Sequence, residues 1–130
     1  MTTLTIKDET ASGDILNEIR VMVENERTTL KEIITTRILT EVKVYNKSKP
    51  EYFKGLIQPS EAEKTLNGFR VKKRTPIDGE RQVYVALDAF LNNGFFVIVD
   101  DEQITDYDRE ILVNSETSIS FLKLTPLVGG

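Results

Sequence analysis

Gly129 and Gly130, the last two residues of the sequence, are the ones whose type and position could do chemistry. A backbone without Cβ atoms can thread a channel too narrow for any side chain. A glycine in last place presents its α-carboxylate unhindered at Gly130, and Gly129 supplies clearance. Ahead of them stand Pro126, Leu127 and Val128. Ordering an extended segment costs about 1 to 2 kcal/mol per residue, and the restricted backbone of Pro126 reduces that loss. Leu127 and Val128 can each return roughly 1.5 to 3 kcal/mol if fully covered. These three are therefore the candidate contacts to an enzyme that grips the tail. The plain alternative is a frayed terminus that ends in glycine.

The rest of the chain is poor in catalytic chemistry. It has neither cysteine nor histidine, which removes disulfides, thiol nucleophiles, the usual general base and the usual zinc ligands. Asp106, Asp108 and Glu110 alternate, but their spacing lacks the glycine and distal glutamate of a calcium loop, and they read as a solvated turn. No phosphate-binding glycine loop or nucleophile motif occurs. No catalytic residue, metal ligand or bound cofactor is expected, and the chain reads as a substrate of enzymes rather than an enzyme. Its lysines are possible acceptors if it forms chains on itself, and nothing in the sequence selects one.

A formal net charge of -4 and a pI near 5.0 argue against nucleic acid or an anionic membrane as partners. The first residues lack the basic and apolar regions of a secretory leader. The longest apolar run, Phe95 to Val99, is far short of a membrane span. A cytoplasmic location is the expectation. At 130 residues the chain suits one domain.

Positioning the tail requires a body, and the periodicities describe one of α+β class. Leu4 to Asp8 and Ile15 to Glu24 alternate as two strands around the turn formers Ala11-Ser12-Gly13-Asp14, predicting a hairpin that Asn25 to Arg27 closes. Thr29-Leu30-Lys31-Glu32 fits a capping box, and Leu30, Ile33, Ile34, Ile38, Val42 and Tyr45 fall on one helical face. Thr40 to Tyr45 alone could pass as a strand; cap and period together favour helix. Pro50 and Pro59 punctuate the next stretch. Ser60 to Glu63 repeats the capping pattern, predicting a short helix ended by Asn67-Gly68. Phe69 to Arg74 reads as a basic edge strand, its charges blocking unwanted pairing or, alternatively, meeting an acidic partner or a nucleic-acid backbone. Tyr52 and Phe53 are expected to cover the core. Asp78 caps a second helix with Val83, Ala86, Leu87, Phe90 and Leu91 inward, ended by Asn92-Asn93-Gly94. Phe95 to Val99 is a buried strand, Asp100-Asp101 a turn, Thr105 to Val113 an irregular crossing, and Asn114 to Thr117 a further turn. Ser118 to Leu124 alternates as the final strand, and Pro126 stops its pairing.

A final strand running out into Gly-Gly resembles the C-terminus of ubiquitin-like β-grasp proteins and of the sulfur carriers of thiamine and molybdopterin synthesis. The likeness is good over Gly94 to Gly130, looser over the hairpin and first helix, and departs over residues 46–93, an insertion relative to the usual fold. The whole chain is also similar to bacterial ubiquitin-like proteins encoded beside activating enzymes, conjugating enzymes and deconjugating metallopeptidases. The resemblance implies a β-grasp fold over 1–125, a mixed sheet packed on a helix with an inserted helical segment, and a flexible tail over 126–130. It also implies that a partner enzyme uses ATP to adenylate Gly130, so that ATP belongs to that partner. The acyl group would then pass to a thiol and a target nucleophile, or become a thiocarboxylate. Since the sequence stops at Gly130, no maturation cleavage is expected.

Aligned from the Gly-Gly end, Leu122 and Leu124 fall where ubiquitin displays its partner-binding side, which implies a recognition patch. The other reading is that the inserted segment covers both leucines as core. Three functions follow: a conjugated protein modifier, favoured because the chain exceeds the small carriers by a sizeable insertion; a sulfur carrier; and a non-covalent binding module indifferent to loss of the glycines.

Overall fold

The computed structural model describes residues 1–48, 52–53, 55–57, 62–64, 69–71 and 76–123; side chains are described outside 52–53, 62–64 and 69–71. In chain order the elements are β1 (Thr2–Glu9), β2 (Ile15–Val23), β3 (Arg27–Thr29), α1 (Leu30–Ser48), β4 (Tyr52–Phe53), β5 (Ala62–Lys64), β6 (Phe69–Val71), α2 (Gly79–Leu91), β7 (Phe95–Val99), β8 (Glu102–Ile104), β9 (Glu110–Leu112) and β10 (Ile119–Lys123). The architecture is α+β, a mixed five-stranded sheet packed against two helices.

The sheet has the order β2-β1-β10-β7-β8. β1 and β2 form the expected antiparallel hairpin, and β10 lies parallel to β1 with Ile6 opposite Ile119. β7 closes antiparallel on the other side of β10. Alternation puts Leu4, Ile6, Val21, Val23, Phe95, Val97, Val99, Ile119 and Phe121 on one buried face. The stripe of α1 covers it with Leu30, Ile33, Ile34, Ile38, Val42 and Tyr45.

Local chemistry fixes the ends of these elements. Thr29 Oγ1 accepts from the Glu32 backbone N–H at 3.2 Å, one half of the capping box. The Glu32 carboxylate accepts instead from the Thr28 hydroxyl at 2.6 Å. Asp78 caps α2 by accepting from Glu80 N–H, and Asn93 follows its end with φ 60°. Asp100 and Asp101 have φ 47° and 68°, as a two-residue turn requires to match strand twist. Asp100 also accepts from Ser118 N–H at 2.9 Å and so ties that turn to the start of β10.

Several expectations are corrected. Within the helix predicted after Ser60, the described residues Ala62–Lys64 form strand β5 instead, and the expected stop at Asn67-Gly68 lies outside the described residues; local cap chemistry loses at β5 to pairing with β6. Phe69–Val71 is the middle strand of a three-stranded sheet of order β4-β6-β5 rather than an edge. Leu91, placed inward by its period, is 57% exposed, whereas Gln82 is buried. The crossing from Thr105 to Val113 contains β9, which pairs with β3. The side chains of Tyr52 and Phe53 lie outside those described.

The described residues on either side of the stretch 47–76 meet at one contact. Asn46, near the end of α1, accepts from Ile77 N–H at 2.8 Å and donates to Ile77 C=O at 3.1 Å. One side-chain amide thus holds both polar groups of a buried residue that immediately precedes the α2 cap.

Candidate functional site

β10 is the element through which the body meets its C-terminal residues. Its last described residue, Lys123, stands seven positions before Gly130. Leu124, Pro126, Leu127, Val128, Gly129 and Gly130, all singled out from the sequence, lie outside the described residues. Leu122 is described. It is half-buried on the sheet face opposite the helices, between Glu9 of β1 and Phe96 of β7. Ser120 and Ile98, also half-buried, pair beside it on the same face. The apolar surface around Leu122 is therefore built with Phe96 and Ile98, two residues that an uninterrupted apolar run hides among the core positions of β7.

On the helix-facing side of the same strand is a buried cluster of charge. Arg37 is 0% exposed, Asp8 2% and Glu41 3%. The Arg37 guanidinium grips both carboxylate oxygens of Asp8, one through Nη1 and one through Nη2 at 2.6 Å. Its Nε donates to Glu41 Oε2 at 2.7 Å. Its face lies 4.7 Å from the ring centroid of Phe121, a cation–π geometry. Phe121 stacks in turn on Phe95, with centroids 5.4 Å apart.

Burial alone lowers the pKa of a guanidinium. Here that effect is outweighed by the hydrogen bond to Asp8 and the charges of Glu41 and Asp8, and Arg37 is raised above its ordinary value. Paired bidentate geometry is what makes burial of such a group tolerable.

The cluster reaches into the inserted stretch. Glu41 Oε1 accepts from Leu56 N–H at 2.8 Å and from Ile57 N–H at 3.4 Å. Lys123 Nζ donates to Gly55 C=O at 2.8 Å. Ile57 is fully buried. Residues 55–57 are thus held by one acid from α1 and one base from β10, beside the end of β10. Every buried side-chain oxygen and nitrogen among the described residues has a partner.

Sequence reasoning missed Asp8, Arg37 and Glu41, although a signal was present. Asp8 continues the inward series Leu4, Ile6 of β1, and Arg37 and Glu41 fall on the apolar stripe of α1. Three charges at positions where the period demands apolar residues are the sequence signature of a buried ion pair.

Elsewhere the acidic loop behaves as a turn: Asp106 Oδ1 accepts from Asp108 N–H. No group of three potential metal ligands occurs among the described residues. Among them, too, no helix is long and apolar enough to cross a membrane. Comparison with protein-family models, with curated proteins and with solved structures finds no match.

Proposed function

We propose that this chain is a ubiquitin-like modifier of β-grasp fold, adenylated at Gly130 by a partner enzyme that uses ATP and then joined through that carbonyl to target nucleophiles in a bacterial ubiquitin-like pathway. One observation carries the reading: the last described strand lies in the middle of the sheet, parallel to the first and beside it, and the sequence reaches Gly129 and Gly130 within seven residues of its end. A hairpin, a helix laid across it and a returning central strand is the order that a β-grasp demands. Gly130 reacts whether it is terminal at synthesis or laid bare by a peptidase. Leu122 and Leu124 supply a partner-binding surface, which Leu122 shares with Phe96 and Ile98, and Pro126, Leu127 and Val128 contact the activating enzyme and its successors.

Mass spectrometry of the tagged chain recovered from its own cells tests the proposal. Trypsin cuts after Lys123, so conjugation leaves the seven residues Leu124 to Gly130 as a branch on an acceptor side chain. A sulfur carrier, which shares the first step, instead shows an intact-mass gain of one sulfur in place of oxygen. Recovery of neither species, together with an unchanged cellular phenotype when Gly129 and Gly130 are deleted, would leave a non-covalent binding module and refute activation at Gly130.

A further inference from the structure

β2 forms one edge of the five-stranded sheet, with β1 on one side and no described strand on the other. Such an edge is a row of backbone donors and acceptors ready to pair. Proteins blunt these edges with prolines, inward charges or bulges. β2 has no proline, and its inward residues Ile19, Val21 and Val23 carry no charge. Its single irregularity lies near one end, where Asp8 faces Asn17 but Glu9 faces Ile15. The outward side presents Glu18 and Arg20, both exposed, followed by Met22, which is 55% exposed. Within the sheet Lys7 stands opposite Glu18, and Thr5 opposite Arg20.

We propose that this edge pairs with the same edge of a second copy, antiparallel about a two-fold axis at Ile19, giving a homodimer in which the two sheets run into one. The register follows from symmetry. A two-fold axis perpendicular to the sheet keeps outward residues outward, so it must pass through a pair of identical residues. An axis at Glu18 sets two carboxylates opposite each other, and an axis at Arg20 sets two guanidiniums opposite; like charges so placed destabilise a ladder. An axis at Asn17 or Val21 shortens the ladder and faces a charge with Leu16 or Met22. At Ile19, Glu18 of each copy faces Arg20 of the other, twice over, and the whole span Ile15–Val23 overlaps itself. The edge is self-complementary in that register. The partner is therefore a second copy of this chain. This inference is independent of the function proposed for the C-terminus.

Sedimentation equilibrium of the full chain from about 5 to about 500 μM, the range suited to an interface smaller than the standard size, tests it. The mass should double across that range. R20E or E18R reverses both cross-copy pairs and should weaken association about 10-fold or more. Both substitutions sit on an exposed face, and circular dichroism verifies that each variant is folded. An equimolar mixture of R20E and E18R should associate again, because each cross-copy pair in the mixed dimer then joins opposite charges. A chain that stays monomeric throughout, a dimer indifferent to R20E, or a mixture that fails to recover overturns the proposal.

Discussion

Replacing Arg37 with methionine should destabilise the protein by about 3 to 5 kcal/mol, the usual cost of breaking a buried ion pair from one side. Methionine fills the aliphatic part of the space and replaces none of the polar contacts. The loss comprises two bonds to Asp8, one to Glu41 and the contact with Phe121. It strands two carboxylates, at 2% and 3% exposure, without a counter-charge. Against a total stability of about 5 to 15 kcal/mol for a domain, that is a large share, and Tm should fall by about 10 °C or more. Urea unfolding of wild type and variant gives the difference directly. A second substitution then tests the cause. D8N alone should destabilise, because it discards a charge-assisted bidentate pair. In the R37M background the same change removes a stranded charge and should recover about 1 to 2 kcal/mol. A loss below about 1 kcal/mol for R37M, or an effect of D8N with the same sign in both backgrounds, would refute the claim that Arg37 neutralises this part of the core.

Gly130→Ala should leave the unfolding transition in place and reduce conjugate formation, whereas Phe121→Ala should cost about 3 to 5 kcal/mol in stability; urea unfolding beside the tryptic-branch assay separates the two. Lys123→Met removes the donor to Gly55 C=O and should speed amide hydrogen exchange at Leu56 and Ile57 more than at Leu4 or Ile6; uniform acceleration would contradict local anchoring. Glu102 is held below its ordinary pKa by its hydrogen bonds to Arg109 and by that residue's charge. The pair therefore contributes above the usual carboxylate range, and the contribution is lost as pH falls through the lowered value. In an NMR titration Arg109→Ala should return Glu102 to the ordinary range, with the urea-unfolding midpoint at neutral pH left in place.

The parts of the fold that the sequence made legible are those where one period repeats over many residues. α1 shows this, since its six apolar positions satisfy cap and period at once, as does β7, where five apolar residues follow a helix stop. The hairpin is legible because Gly13, at φ 92°, and its polar neighbours admit little but a turn. The stretch after α1 was not legible, for a physical reason. β4, β5 and β6 are two or three residues long, too short to display a period of two, and their state is set by partners distant in sequence. Ser60 to Glu63 satisfies a local rule that pairing overrides. Leu91 shows the same limit on a helix: its period places it inward, but it is the last residue of α2 and stands exposed. At the candidate site, Leu122 was legible through alternation, while its neighbours Phe96 and Ile98 became part of one surface only through the antiparallel register of β7 on β10.

The three buried charges explain how part of the long stretch between α1 and α2 is held against the sheet. Closing a longer loop costs little more than closing a short one, provided that its ends meet, and Asn46 makes them meet at Ile77. The greater difficulty is the middle of the segment. Backbone N–H groups brought against a core must find acceptors there. Glu41 provides one oxygen for the two amides of Leu56 and Ile57, and its other oxygen accepts from Arg37, which Asp8 anchors to β1. Lys123 supplies the donor for the preceding carbonyl. Removing any member of this chain of contacts leaves a polar group of the next without its partner, so residues 55–57, α1, β1 and β10 are energetically one unit. Residues 55–57 are consequently fixed beside the end of β10. Gly130 stands seven positions beyond that end, a reach of at most roughly 25 Å, so on the proposed function an enzyme holding Gly130 works within that distance of Lys123.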